Sequence, residues 1–144
     1  MIEKSEPPAT SRLGTPANGA ASMRNMVCIV DNDEEMRALL ARVAQSVGLP
    51  ARSYESAESF LGRRPEGGMG CLLLDVELGG MSGVALLERL AEDHLDVPVF
   101  LISGAHDTHT MAAANRLGAV AIDKPFNPRL LAQQIHAAMG DPSR

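Results

Sequence analysis

Short runs of apolar residues alternate along this chain with longer stretches whose apolar positions recur every three or four residues. The short runs predict five strands, which are Met26–Val30, Ala51–Tyr54, Cys71–Leu74, Val99–Ser103 and Ala119–Asp123. The longer stretches predict five helices. Alternation of this kind, with strands that are apolar throughout, indicates an α/β fold with a parallel sheet that is covered on both faces and joined by right-handed crossovers.

Capping residues mark the ends of the predicted helices. The first helix has its apolar stripe at Met36, Leu39, Leu40, Val43 and Val47, and Gly48 closes it. N-terminal caps are predicted at Ser56, at Ser82, at Asp107 or Thr108, and at Asn127. The fourth helix ends at Gly118, and the last one carries Leu131, Ile135 and Ala138 on one side. Met36 and Met111 fall at helical spacing and are interpreted as core residues.

Length and composition limit the domain organisation. A chain of 144 residues with 45% hydrophobic residues is enough for one core. Residues 1–24 are rich in Pro, Ala, Ser, Thr and Gly and are expected to form a disordered tail, because this composition buries too little apolar surface. The folded domain is expected over residues 25–140, followed by a C-terminal tail over 141–144.

Charge and hydropathy exclude several classes of function. The formal net charge is −5 and the Lys and Arg residues form no run, so direct binding to nucleic acid is not expected. The N-terminus has no apolar segment like that of a secretory signal, and no window is long enough to span a bilayer. We therefore expect a cytoplasmic protein with no membrane contact. Cys28 and Cys71 fall inside apolar runs and are interpreted as small reduced core residues.

Polar residues stand where the predicted strands end. They are Asp31, Asn32 and Asp33 after the first strand, Asp75 after the third, Ser103 on the fourth, and Asp123 and Lys124 on the fifth. Each has a simple structural explanation on its own: Asp33 as the cap of the first helix, Asp75 as a turn residue, Ser103 as a polar end of a strand and Lys124 as a solvated charge. The carboxyl ends of parallel strands meet at one edge, however, where ligands bind. Together the residues offer oxygen ligands for Mg²⁺, a nucleophile, and a hydroxyl and an ammonium group to hold a phosphoryl oxygen.

Four motifs carry a resemblance to a known family. They are VDNDEEMR, LLLDVELGGMSGVALL, LISG and DKPF, in this order along the chain. From about Met26 to Met139 the sequence resembles the receiver domain of bacterial two-component response regulators, and within them the receivers of the nitrogen-fixation regulator type. Those regulators also carry a DNA-binding domain, whereas no second folded domain is expected within these 144 residues. The resemblance implies a flavodoxin-like, doubly wound, five-stranded parallel sheet with strand order 2-1-3-4-5 and five helices.

The resemblance also implies a role for each residue at the predicted edge. Asp75 would be the phosphoacceptor, Asp31 and Asn32 the pair that helps to hold Mg²⁺, and Glu77 a donor of its backbone carbonyl to the metal. Ser103 would be the switch hydroxyl and Lys124 the phosphate-binding lysine. The phosphate would come from a phosphohistidine on a sensor histidine kinase or a histidine phosphotransfer protein. A downstream protein would receive the signal, so the chain would be a switch that at most phosphorylates and dephosphorylates itself, not an enzyme.

Three positions depart from the pattern of that family. Asn32 stands where a metal-contacting aspartate is usual, Gly79 replaces the usual proline, and Ala121 stands where an aromatic switch residue is expected. We therefore expect weak Mg²⁺ binding and an altered output, which would lie mainly in the loop from Gly104 to Thr110 and the helix after it. The resemblance further implies a cis peptide bond between Lys124 and Pro125.

Two other functions stay open on the sequence. One is a pseudo-receiver, a binding module that keeps the fold but takes no phosphate, and Asn32 and Ala121 favour it. The other is a phosphatase of the haloacid-dehalogenase type, which also uses an Asp nucleophile, Mg²⁺, a Ser or Thr and a Lys. The order of the motifs argues against the phosphatase, because Asp31 precedes Asp75 and no acidic cluster follows Asp123.

Overall fold

The computed structural model describes residues 25–65, 68–104 and 107–139. The strands are β1 Val27–Val30, β2 Ala51–Tyr54, β3 Cys71–Asp75, β4 Val99–Ser103 and β5 Val120–Asp123. The helices are α1 Glu34–Ser46, α2 Ala57–Arg63, α3 Gly83–Glu92, α4 Thr108–Leu117 and α5 Pro128–Met139. The two tails expected over residues 1–24 and 141–144 lie outside the described residues. Within the described ranges, no helix is both long enough and apolar enough to span a membrane.

The strands form one parallel sheet in the order β2-β1-β3-β4-β5, which confirms the predicted flavodoxin-like topology. The pairing register aligns the carboxyl ends of β3, β4 and β5 with one another. Asp75 pairs with Ile102, and the next residue of β4, Ser103, pairs with Asp123 of β5. Residues that are 27 and 20 positions apart in the sequence therefore lie side by side at one edge of the sheet.

The core has two layers, one on each face of the sheet. Side chains alternate along a strand, so Leu72 and Leu74 join the layer beneath α2, α3 and α4, whereas Cys71 and Leu73 join the layer beneath α1 and α5. Strands β1, β3 and β4 are buried over their whole length. Such burial on both faces is what their unbroken apolar runs predict, and it fixes the ends of these strands rigidly.

The two edge strands differ from the prediction that all strands are apolar and covered. In β2, Arg52 and Ser53 are exposed, and in β5 the side chain of Val120 is 44% exposed. An edge strand has a neighbour on one side only, so the helices cover it less completely. The structure thus leaves one margin of β5 open to solvent.

Side-chain caps begin all five helices where the sequence predicts them. In each cap a side-chain oxygen accepts a hydrogen bond from a backbone N–H of the first turn. The pairs are Asp33 Oδ1 with Glu35 N at 3.0 Å, Ser56 Oγ with Ser59 N at 3.0 Å, Ser82 Oγ with Ala85 N at 3.0 Å, Asp107 Oδ1 with Thr110 N at 2.6 Å, and Asn127 Oδ1 with Arg129 N at 2.9 Å. These contacts satisfy backbone donors that have no partner inside the helix. Asp107, not Thr108, is the cap of α4.

Two residues that the sequence places in the core are exposed. Met111 on α4 is 42% exposed, and Ala138 on α5 also faces solvent. The buried side of α5 is formed by Leu131, Ala132 and Ile135. Both errors have the same cause, because helical spacing identifies a stripe of apolar residues but not how far the neighbouring helices cover its margins.

Candidate functional site

Asp75 is the last residue of the buried strand β3, and its carboxylate lies at the edge of the sheet. Only 3% of the residue is exposed. Its Oδ1 accepts a hydrogen bond from the backbone N–H of Glu77 at 3.1 Å and lies 3.4 Å from the ammonium Nζ of Lys124. A carboxylate that is held on a rigid strand and faces a cation can act as an oriented nucleophile.

Lys124 follows β5 directly and is held by its own backbone as well as by its side chain. Its N–H donates to the carbonyl oxygen of Ser103 at 2.8 Å, which joins the ends of β4 and β5. The Lys124–Pro125 peptide bond is cis, as predicted. The side chain of Lys124 is 25% exposed and is therefore not sealed off from solvent.

Asp31 at the end of β1 is fully buried, at 0% exposure. Its Oδ1 accepts from the N–H of Asp33 at 2.8 Å, whereas its Oδ2 is buried without a hydrogen-bond partner. Burial raises the pKa of this carboxyl, the Asp33 N–H lowers it, and the nearby charge of Asp75 raises it further. Leaving a buried carboxylate oxygen without a partner costs free energy, so the orphaned oxygen indicates a place for a cationic ligand.

The remaining predicted ligands are close in sequence to these two carboxylates. Asn32 follows Asp31 and is exposed, and the side chain of Glu77 is exposed as well. Within the part of the chain that the structure describes, no group of three or more His, Cys, Asp or Glu residues could hold a metal ion. The donors at the edge are therefore two carboxylates, an amide and backbone carbonyls. Oxygen donors of this kind suit Mg²⁺, which binds few protein ligands and keeps several waters.

Ser103 ends β4 and is buried, with 5% of its surface exposed. Its carbonyl oxygen accepts from Lys124 N, so the residue that would carry the switch hydroxyl is tied to the residue that would bind phosphate. The structure thus brings Asp75, Lys124, Asp31 and Ser103 to one edge, as predicted. The roles assigned to the six site residues remain predictions.

Two side chains that were not predicted from the sequence support this edge. Arg37 on α1 donates from its guanidinium to the carbonyl oxygen of Asp31 at 2.7 Å. Glu58 on α2 accepts from the N–H of Met81 at 2.9 Å. Arg37 ends the motif VDNDEEMR and follows Asp31 by six residues, so its position in the motif was a usable signal. Nothing in the sequence near Glu58 points to a partner 23 residues away.

The comparison with protein families decides which family the chain belongs to. The model of the response regulator receiver domain matches residues 27–136, and this range contains every predicted site residue. The chain belongs to the response regulator receiver family. Receiver domains are signalling switches of two-component systems rather than classical enzymes, so the phosphatase of the haloacid-dehalogenase type is excluded.

Curated relatives of this receiver are response regulators. It is 34% identical over 113 residues to the transcriptional regulatory protein FixJ of Rhizobium meliloti, which covers 78% of this chain and 55% of the relative. It is 33% identical over 116 residues to the response regulator protein TmoT of Ectopseudomonas mendocina, covering 80% and 53%. The receiver thus spans about half the length of the relatives that it matches, and its likeness to FixJ agrees with the predicted resemblance to nitrogen-fixation regulators.

Solved structures share the fold of this receiver. A CheY-like receiver domain protein from Methanospirillum hungatei superposes with a TM-score of 0.75 at 22% identity, covering 83% of this chain and 96% of that one. Full-length FixJ from B. japonicum superposes with a TM-score of 0.71 at 29% identity, covering 80% and 57%. The receiver fold predicted from the motifs is confirmed by both.

Proposed function

We propose that this receiver accepts a phosphoryl group on Asp75 from a phosphohistidine of a sensor histidine kinase or histidine phosphotransfer protein. The phosphorylated protein signals through contacts with a downstream protein. The folded domain comprises residues 25–140, and the protein acts in the cytoplasm. One observation carries the proposal: the buried carboxylate of Asp75 faces the ammonium group of Lys124 at 3.4 Å, although the two residues are 49 positions apart.

The proposed transfer breaks one bond and forms one. A carboxylate oxygen of Asp75 attacks the phosphorus atom of the phosphohistidine, the phosphorus–nitrogen bond breaks, and its electron pair stays on the imidazole of the donor. Asp75 then carries the group as an aspartyl phosphate. The burial of β3 supports this role because it fixes the direction of the carboxylate, and effective positioning supplies much of the rate in phosphoryl transfer.

Lys124 and Ser103 are assigned to the phosphoryl oxygens. The Lys124 ammonium is held at the carboxylate by a side chain that is partly exposed, so it can balance negative charge that arrives with the phosphoryl group. Ser103 is assigned a hydrogen bond from its hydroxyl to a phosphoryl oxygen. The backbone contact between Lys124 N and Ser103 O supports joint action of the two residues.

The carboxylates of Asp31 and Asp75, the amide of Asn32 and the backbone carbonyl of Glu77 are proposed to hold Mg²⁺. When bound, the ion would supply positive charge to the phosphoryl oxygens. The orphaned Oδ2 of Asp31 supports this assignment, since a cation would provide the partner that this buried oxygen lacks in the protein.

A pseudo-receiver is the second candidate, and one observation favours it. Asn32 brings a neutral oxygen to the position where the family pattern has a carboxylate, which reduces the attraction of the site for Mg²⁺. This protein would then bind its partner in one state only. The two candidates differ in one measurable respect, since the receiver takes up a phosphoryl group and the pseudo-receiver does not.

Phosphoramidate, a small donor with a phosphorus–nitrogen bond, tests the proposed transfer. With Mg²⁺ present, we expect a label on residue 75, mapped by borohydride reduction of the aspartyl phosphate to homoserine before peptide analysis. Lys124→Ala should slow the labelling about a hundredfold, as expected for the loss of one positioned charge. Arg129→Ala removes an exposed cation from α5 and serves as the matched control. A label on any other residue, or no label, would contradict the proposal.

A further inference from the structure

A carboxylate of helix α2 accepts a hydrogen bond from the loop after Asp75. Glu58, in the first turn of α2, accepts a hydrogen bond through Oε2 from the N–H of Met81 at 2.9 Å. Met81 lies in the segment between β3 and α3, which also contains Glu77. The contact therefore connects an element on the surface of the sheet to the loop that runs out of the phosphoacceptor strand.

This loop has two glycines whose presence is not explained by backbone conformation. Neither Gly79 nor Gly80 has a positive φ, so neither position requires glycine for its own geometry. Two consecutive glycines still leave the loop with more conformational freedom than the proline that the family pattern has at position 79. A loop of this composition needs another restraint if its backbone carbonyls are to stay in place.

The two glycines differ in what surrounds them. A Cβ atom at Gly80 would lie 2.6 Å from Oε2 of Glu58, whereas a Cβ at Gly79 would meet nothing within 4 Å. Gly80 thus leaves the space that the carboxylate occupies when it reaches Met81. The Met81 N–H also lowers the pKa of Glu58, which indicates that the contact favours the ionised carboxylate.

We infer that Glu58 is a positioning residue that fixes the loop between β3 and α3, so that the Glu77 carbonyl stays directed toward the metal position beside Asp75. The other end of the same loop is held by the hydrogen bond from Glu77 N to Asp75 Oδ1 at 3.1 Å. Glu58 would replace the stiffness that Gly79 gives up. The inference rests on the proposed function, because it concerns the loop that would contribute the carbonyl ligand.

Three substitutions at Glu58 separate this hydrogen bond from a simple effect of charge. Glu58→Gln keeps an acceptor oxygen at the same reach, Glu58→Asp keeps the charge but is one methylene shorter, and Glu58→Ala removes both. If Glu58 positions the loop, Gln should behave like the wild type, while Asp and Ala should both weaken Mg²⁺ binding about fivefold, as expected for an exposed hydrogen bond to a charged group. An effect of charge alone would give the opposite order, with Asp like the wild type and Gln like Ala.

A matched pair of glycine variants tests the same contact with Glu58 left intact. Gly80→Ala should displace the carboxylate and weaken Mg²⁺ binding as Glu58→Ala does. Gly79→Ala makes the same change in backbone freedom one residue earlier, where a methyl group has free space, and should leave Mg²⁺ binding unchanged or slightly tighter.

Calorimetric Mg²⁺ titration is the main measurement, with hydrogen exchange of the Met81 amide as a second readout. Faster Met81 exchange together with weaker Mg²⁺ binding in Glu58→Ala, Glu58→Asp and Gly80→Ala would support the inference. Unchanged Mg²⁺ affinity in these three variants would overturn it, as would equal losses in Gly79→Ala. Neither measurement requires labelling, so an unphosphorylated wild-type protein would contradict the proposed function while the titration still decides the role of Glu58.

Discussion

Gly83, the first residue of α3, lies directly against the backbone of Asp75. A Cβ atom at Gly83 would be 2.8 Å from the Cα of Val76 and 2.9 Å from the carbonyl carbon of Asp75. The N–H of Gly83 also donates to the carbonyl oxygen of Val76 at 2.9 Å. The helix after the phosphoacceptor strand can approach the strand this closely only because position 83 has no side chain.

Gly83→Ala should therefore destabilise the protein by about 2 kcal/mol, the cost of forcing an extra methyl group into packed backbone. It should also slow phosphorylation, because β3 or α3 has to move away from its position. Gly62→Ala is the matched control. A Cβ atom at Gly62, within α2, would meet nothing within 4 Å, so the stability of this variant should equal or exceed that of the wild type. Urea unfolding of the two variants checks this, and equal stability of Gly83→Ala and wild type would refute the packing argument.

Asn32→Asp should tighten Mg²⁺ binding about fivefold at low salt, because a full negative charge replaces a neutral amide at a distance where one charge pair is worth about 1 kcal/mol in water. The gain should shrink as ionic strength rises, since Asn32 is exposed. Asn115→Asp makes the same change of charge at an exposed position of α4. Calorimetry would contradict the charge argument if both variants bound Mg²⁺ with the affinity of the wild type.

The thiols of Cys28 and Cys71 should be unreactive in the folded protein. Both are fully buried, and burial raises their pKa to about 11 for Cys28 and about 12 for Cys71. At pH 8 each thiol is therefore protonated, and the thiolate is the form that reacts. Iodoacetamide should add to neither cysteine at pH 8 and to both in urea. Rapid alkylation without denaturant would show that the central strands open.

Output should be concentrated at the end of β4 and in α4, because Ala121 has no aromatic ring that could rotate. Beryllofluoride, a phosphoryl mimic, should shift the amide signals of Gly104, Asp107 and Thr110 strongly and those of β5 weakly. Ala105 and His106, in the same predicted loop, lie outside the described residues. The prediction would be contradicted if the amide signals of Gly104 and Asp107 did not shift while those of β5 and α5 shifted strongly.

A ring restored at position 121 provides a second test of this output. Ala121 is half-buried and packs against the core layer beneath α2, α3 and α4. Ala121→Tyr restores a ring at this position and should extend the beryllofluoride response into β5. Ala112→Tyr, at an exposed position of α4, controls for the addition of an aromatic ring.

The sequence predicted those features that depend on local pattern or on strand topology. Asp33, Ser82 and Asn127 cap helices because short polar side chains satisfy free backbone donors wherever a helix begins. Asp75 and Lys124 meet because parallel strands end at one edge. The contact between helix α2 and the loop after β3 was not predicted. The partner of Glu58 is the backbone N–H of Met81, and it is fixed by how α2 packs beside the loop, which the spacing of apolar residues does not reveal.

The central claim is that Asp75 takes a phosphoryl group, and intact mass after incubation with acetyl phosphate and Mg²⁺ tests it most directly. The wild-type protein should gain the mass of one phosphoryl group, which is lost again as the aspartyl phosphate hydrolyses. Asp75→Asn should gain nothing, while Asp96→Asn, an exposed change in the segment before β4, should be labelled like the wild type. A wild-type protein that never gains this mass, or an Asp75→Asn variant that gains it equally, would contradict the account.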